Sequence, residues 1–103
     1  MSKIIPRGSI IASFIYQKSN TLEGYEEMDT LTINEVKNNE GYLGHELIKT
    51  NERNIFISYW KDLESIELWK NNKLHIKAKA MGPVWYDSYK IQISKLINNY
   101  NLE

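Results

Sequence analysis

Arg53-Asn54-Ile55-Phe56-Ile57-Ser58-Tyr59-Trp60 is a run rich in β-branched and aromatic residues in which Ile55, Ile57 and Tyr59 alternate with Phe56, Ser58 and Trp60. Side chains of a strand point alternately to its two faces, so both faces of this strand carry apolar bulk. Upstream, Tyr42 to Thr50 is a second β-rich run, and the intervening Asn51-Glu52 suits a tight hairpin that makes the two strands antiparallel neighbours. Downstream, Asp62 stands where a helix N-cap belongs. Ile66, Trp69, Lys73, Ile76 and Ala80 follow at intervals of three and four, which predicts one helix ending at Gly82-Pro83.

Working outward, Ile10 to Tyr16 reads as a first strand ahead of the turn-prone Lys18-Ser19-Asn20. Thr21 is the expected N-cap of a helix running to about Asn39, with Glu23, Glu26 and Glu27 in its first turns. Its buried face is assigned to Tyr25, Met28, Leu31 or Thr32, and Val36, with Gly41 as the stop. Val84 to Leu96 closes the pattern as a long strand, with Tyr89, Ile91 and Ile93 on one side and Lys90, Gln92 and Ser94 on the other. The order β-α-β-β-α-β predicts an α+β, ferredoxin-like fold: a four-stranded antiparallel sheet with two helices on one face. Two helices cover one face only, so the other face of the central strand calls for a second copy of the chain.

The 103 residues are read as a single domain, 1–103, with its core at about 10–97. Thirteen basic and thirteen acidic residues leave no net charge, which argues against nucleic acid or an anionic membrane as partner. The absence of cysteine excludes disulfides and thiolate metal sites and fits a reducing, cytoplasmic setting. The N-terminal Met1 to Gly8 lacks the apolar core of a signal peptide, and no apolar run is long enough to span a membrane. No metal site is expected, because the two histidines lie on separate elements. Gly41-x-x-Gly44 lacks the third glycine and the following helix of a dinucleotide site, and Lys70, Lys73, Lys77 and Lys79 read as a solvated face.

Gly41-Tyr42-Leu43-Gly44-His45-Glu46, the junction Ser58-Tyr59-Trp60-Lys61-Asp62-Leu63-Glu64-Ser65-Ile66, and the later Trp69, His75, Ala78, Gly82 and Trp85-Tyr86 together resemble the antibiotic biosynthesis monooxygenase (ABM) family. The resemblance runs over about residues 10–97 and implies a dimeric α+β barrel with a pocket between the sheet and the helices of each chain. It implies in turn a cofactor-independent monooxygenase that oxidises a small aromatic or quinol-type compound with O2. Haem-degrading relatives carry an axial His farther along the second helix and an Asn in the first strand; Lys79 and Ser13 stand there here, which argues against haem degradation. The alternative is a non-catalytic dimeric module that binds a small apolar ligand or haem.

Such an oxygenase requires an apolar cavity, aromatic walls and a base that deprotonates the substrate. His75 is the expected catalytic base, since its ordinary pKa near ~6.5 suits the task. Tyr59, Trp69, Trp85, Tyr86 and Ser13 are the expected substrate-binding residues, and no cofactor is called for. Trp85 and Tyr86 alternate in this reading, one facing the helices and the other the dimer side. Trp69 also serves as core packing, and His45 is read as structural or surface. Trp69 and His75, on one continuous helix, stand about 240° apart and face different ways.

Overall fold

The structure is a computed structural model and describes residues 4–102; Met1, Ser2 and Lys3 of the N-terminal segment lie outside the described residues. Its elements are β1 (Ile10–Lys18), α1 (Tyr25–Val36), β2 (Tyr42–Lys49), β3 (Asn54–Trp60), α2 (Leu63–Lys70), α3 (Lys73–Ala80), α4 (Gly82–Trp85) and β4 (Tyr86–Lys95). The strands form one antiparallel sheet in the order β2-β3-β1-β4, the ferredoxin-like arrangement that the sequence predicts. No helix among the described residues is long and apolar enough to cross a membrane.

The registers fix which side chains share a face. Ile10, Ala12, Phe14 and Tyr16 of β1 stand opposite Trp60, Ser58, Phe56 and Asn54 of β3. Val36 of α1 and Ile66 of α2 pack with Ile10 and Trp60 into the core, joined by Ala12, Tyr42 and Trp69. Each fully buried side chain of this size contributes roughly 1.5–3 kcal/mol. Ile11, Ser13 and Ile15 of β1 point the other way, beside Tyr59, Ile57 and Ile55 of β3, on the face opposite the helices of the described residues.

The hairpin forms as expected, with Thr50 N–H donating to the Arg53 carbonyl at 3.0 Å around Asn51-Glu52. The Asp62 cap also forms, its carboxylate accepting from the Ser65 backbone N–H at 2.9 Å and the Ser65 hydroxyl at 2.7 Å. Three expectations are corrected. The cap of α1 is Gly24, in the left-handed region at φ 80°, and not Thr21; Glu23 therefore precedes the helix, while Glu26 and Glu27 occupy its first turn. Thr21 instead donates its backbone N–H to the Ser19 hydroxyl, the local turn chemistry that competes with capping.

The second correction concerns the long helix, which breaks at Asn71-Asn72 into α2 and α3. The Asn72 side chain accepts from the N–H groups of Leu74 and His75 at 2.9 and 3.1 Å, so it starts a new helix at a new angle. The stripe Ile66, Trp69, Lys73, Ile76, Ala80 consequently fails past the break. Ile76 is 48% exposed, and Leu74, His75 and Ala78 turn inward instead. Third, Pro83 sits in the first turn of α4, where its missing N–H costs nothing, so Trp85 belongs to a helical turn and the last strand begins at Tyr86 rather than Val84.

Candidate functional site

Two β-bulges build the site. In β2, Tyr42 pairs with Trp60 but Gly44 pairs with Tyr59, so one extra residue, Leu43, enters the strand. Gly44 absorbs the distortion with φ +139°, a conformation that an L side chain rarely adopts. Every later residue of β2 is thereby shifted by one, and His45 lands on the helix side of the sheet with Tyr42, whose hydroxyl hydrogen-bonds its Nδ1. In β4, Ser88 pairs with Gln17 and Tyr86 with Lys18, leaving Asp87 as the extra residue. Tyr86 and Tyr89 therefore also share the helix side, three positions apart.

With both bulges in place, aromatic rings run across the helix side of the sheet. The His45 ring stacks on Phe56 with centroids 4.9 Å apart, Phe56 lies opposite Phe14 in the register, and Phe14 stacks on Tyr16 at 4.7 Å. Phe14 also meets Tyr89 at 5.6 Å and the edge of Tyr86 at 5.2 Å. The helices leave much of this floor open, for Leu47, Tyr89 and Ile91 remain 46–57% exposed. A groove with an aromatic floor suits a flat, unsaturated ligand, which stacks offset on such rings.

At one end of the floor Tyr16, Tyr25 and Tyr86 gather their hydroxyls. Tyr86 donates to the Tyr25 oxygen at 3.4 Å, and Tyr25 packs edge-on against Trp85 at 5.4 Å. Trp85 is itself anchored by its indole N–H to the Glu23 carbonyl at 3.1 Å. Burial raises the pKa of all three phenols above the ordinary tyrosine value, and their mutual proximity adds to the rise for Tyr16 and Tyr25. All three therefore hold their protons at neutral pH and can donate hydrogen bonds to an oxyanion.

Asp29 lies one turn along α1 from Tyr25, on the same side of the helix. Desolvation raises its pKa, and the nearby Lys18, His45 and Lys49 only partly oppose the rise. It is thus a better proton acceptor than a free carboxylate. His45 is shifted downward by burial and then by Lys37, with Asp29 pulling the other way. An acid-weakened carboxylate, a neutral imidazole and three protonated phenols bordering one aromatic floor can take a proton from a bound hydroxyl or activated C–H and stabilise the anion left behind. Among the described residues no group of three or more His, Asp or Glu has the arrangement of a metal site.

The residues expected from sequence fall in three places. Tyr86 enters the phenol cluster, and Trp85 supports it from behind. Trp69 and His75 meet each other: their rings stack 4.7 Å apart at 24°, which the break at Asn71-Asn72 makes possible and which overturns the expectation of two different faces. His75 Nδ1 lies 3.1 Å from the Trp69 carbonyl, which only accepts, so the imidazole carries its proton there. Burial, followed by the Lys79 charge, pulls its pKa down to about 4, and the ring is neutral and tied into the helix junction. Ser13 and Tyr59 lie on the helix-free face, across the sheet from the groove. There Tyr59 donates to the Glu46 carboxylate at 2.5 Å. The residues that sequence reasoning missed are Phe14, Tyr16, Tyr25, Asp29 and His45; Phe14 and Tyr16 share a strand face and Tyr25 and Asp29 a helix face, which is the signal that could have found them.

No protein-family model matches the chain. Its sequence is 30% identical over 93 residues, covering 88% of this chain and 80% of the other, to the uncharacterised protein YqjZ of Bacillus subtilis. Among solved structures it is similar to SnoaB, a cofactor-independent oxygenase of Streptomyces nogalater, at a TM-score of 0.74, with 9% identity over 92% of this chain and 97% of that one. A Nitrosomonas europaea protein provisionally assigned as an antibiotic biosynthesis monooxygenase matches at a TM-score of 0.74, with 9% identity over 90% of this chain and 94% of that one.

Proposed function

The chain belongs to the same family as YqjZ and has the fold of the antibiotic biosynthesis monooxygenase-like proteins, and from that premise we propose that it is a cofactor-independent monooxygenase of a small, planar phenol- or quinol-type compound. The observation that carries this reading is the aromatic floor of His45, Phe56, Phe14 and Tyr16 ending at three protonated phenols and at Asp29. The substrate ring stacks on the floor. Asp29 accepts the proton from the acidified position, and Tyr25 or Tyr86 donates a hydrogen bond to the oxygen on which negative charge accumulates. The resulting electron-rich anion is itself the reductant of O2. For a ring methylene flanked by aromatic carbonyl and phenol groups the balance closes without any added reductant: CH2 and O2 become C=O and H2O, with one oxygen atom retained and the other leaving as water.

His75 is not the base in this reading, because it is held in the helix junction and its pKa of about 4 makes it a weak acceptor. The active form is a homodimer. Ile11, Ile15, Ile55 and Ile57 line the helix-free face, and a second copy seated there buries an interface of at least ~1,200 Å2. Sedimentation equilibrium checks this, and a stable monomer at micromolar concentration refutes it. The catalytic reading is tested by oxygen uptake against a panel of anthrones and dihydroxynaphthalenes. Uptake that rises with pH through a single ionisation and follows the added protein supports it; no uptake with any member of the panel leaves the groove as a binding site only.

A further inference from the structure

We infer that a second copy of the chain docks on the helix-free face in one orientation, β2 of each copy over β4 of its partner. Glu46 and Lys90 select that orientation, a role that rests on the homodimer proposed above. The middle of the face is uncharged, with Ser13 and Ile15 of β1 beside Ile57 and Ile55 of β3. Among the residues that the registers pair, two on this face are charged, and they stand at opposite margins. Glu46 of β2 lies opposite Ile57, and Lys90 of β4 lies opposite Ile15. Since β2 and β4 are the outer strands of the sheet, the face has one acidic and one basic edge.

Tyr59, in the central strand β3, fixes Glu46 over the face. Its hydroxyl donates to Glu46 Oε2 at 2.5 Å, and burial followed by that carboxylate pushes the Tyr59 pKa up to about 12, so the phenol keeps the proton that makes the bond. The other carboxylate oxygen stays available as an acceptor. Once a second sheet covers the face, a carboxylate held there is stable only beside a cation. Two aligned sheets stack about a twofold axis in two ways. An axis across the strands sets β2 over the partner's β2 and puts like charges along the same edge. An axis along the strands sets β2 over the partner's β4, so that each Glu46 meets Lys90 of the partner subunit and the contact is made twice. The two residues are one pleat repeat out of step, about 7 Å along the strands, which the long stem of lysine spans.

The test is sedimentation velocity on the intact chain over a dilution series, with the two charges reversed singly and together. Glu46→Lys or Lys90→Glu alone should weaken the wild-type dimer at least about tenfold, because two like-charged contacts then replace two attractive ones. The double variant should return to within about threefold of the wild type, and an equimolar mixture of the two single variants should form a heterodimer tighter than either homodimer. A single reversal that leaves the dimer intact, a double variant no tighter than the singles, or single variants that fail to pair with each other overturns the orientation while leaving the homodimer. A wild-type chain that stays monomeric overturns the inference together with the homodimer beneath it.

Discussion

The helix side of the sheet has two ends with opposite chemistry. Around Ile10, Val36, Trp60 and Ile66 the packing is apolar and closed, and its buried polar groups are internally satisfied: the Trp60 indole donates to the Ser58 hydroxyl at 2.8 Å and the Ser65 hydroxyl to the Asp62 carboxylate at 2.7 Å. Around Tyr16, Tyr25 and Tyr86 the rings are as large, but each carries a hydroxyl, and the helices stand open over the neighbouring floor. The same sheet and the same helix α1 serve both ends. Closing one end with aliphatic contacts secures the fold and lets the other remain an open, hydroxyl-bearing groove, where burial tunes protonation instead of completing a core.

The difference is broken most severely at the closed end. Trp60 is 3% exposed, and Trp60→Ala empties a volume that Ile10, Ile66 and Tyr42 cannot fill, besides leaving the buried Ser58 short of a partner. We expect a loss of about 3–5 kcal/mol in a chemical denaturation experiment. A loss comparable to that of a surface substitution would show that the closed end is not the stabilising half.

At the open end the same kind of experiment should reverse the pattern. Asp29→Asn keeps the shape of a side chain at the groove's edge and removes its basicity, so turnover on any oxidised substrate should fall by about 10²-fold or more with the melting temperature nearly unchanged. Because desolvation raises the Asp29 pKa, the pH–rate profile of the wild type should rise through a value above the ordinary aspartate pKa as the carboxylate ionises. A variant that keeps full turnover assigns the base elsewhere, His45 being the next group on the floor.

How much of this was legible in the sequence differs between the two ends. Ile55 to Trp60 alternates strictly, the hairpin turns at Asn51-Glu52, and Asp62 caps where a cap was expected, so the pairing of β2 with β3 and the two apolar faces of the central strand followed from periodicity and turn signals. The open end depends on exceptions to periodicity. Counting by twos through β2 puts His45 with Tyr59 and Glu46 on opposite faces from where the Leu43 insertion sends it, and counting through the last strand separates Tyr86 from Tyr89. A single extra residue flips every side chain beyond it, and composition gives no direct count of extra residues. The break at Asn71-Asn72 did leave a signal, since adjacent asparagines disfavour a helix interior, but a three-and-four stripe from Ile66 to Ala80 runs through them unchanged.

The bulge at Gly44 turns that lesson into a smaller, separable effect. An added Cβ meets nothing within 4 Å, so Gly44→Ala strains the backbone at φ +139° without any steric clash. The expected cost is about 1–3 kcal/mol, smaller than that of Trp60→Ala. If β2 relieves the strain by expelling the bulge, His45 moves to the helix-free face, and its contact with Tyr42 is lost. The His45 resonance in a side-chain NMR titration should then drift from its depressed pKa toward the ordinary value, whereas an unchanged titration would mean that the bulge survives without glycine.

The smallest effect is expected at the helix junction, where His75 belongs to neither end. Its pKa is about 4 in the folded chain, against the ordinary ~6.5 once unfolded. Above pH ~6.5 both states are neutral there and His75 adds no pH dependence. As pH falls from ~6.5 toward 4 the unfolded chain takes up a proton that the folded chain refuses, so stability declines through that window and levels off below it. Screening by water around a ring that is only part-buried limits the decline to about 1–2 kcal/mol. His75→Gln cannot titrate, so denaturation midpoints measured at pH ~7 and pH ~4.5 should differ less in the variant than in the parent by that amount. An equal acid sensitivity in both proteins would place the titrating group elsewhere, and Asp29 cannot supply it, because a carboxyl whose pKa is raised on folding favours the folded state as pH falls.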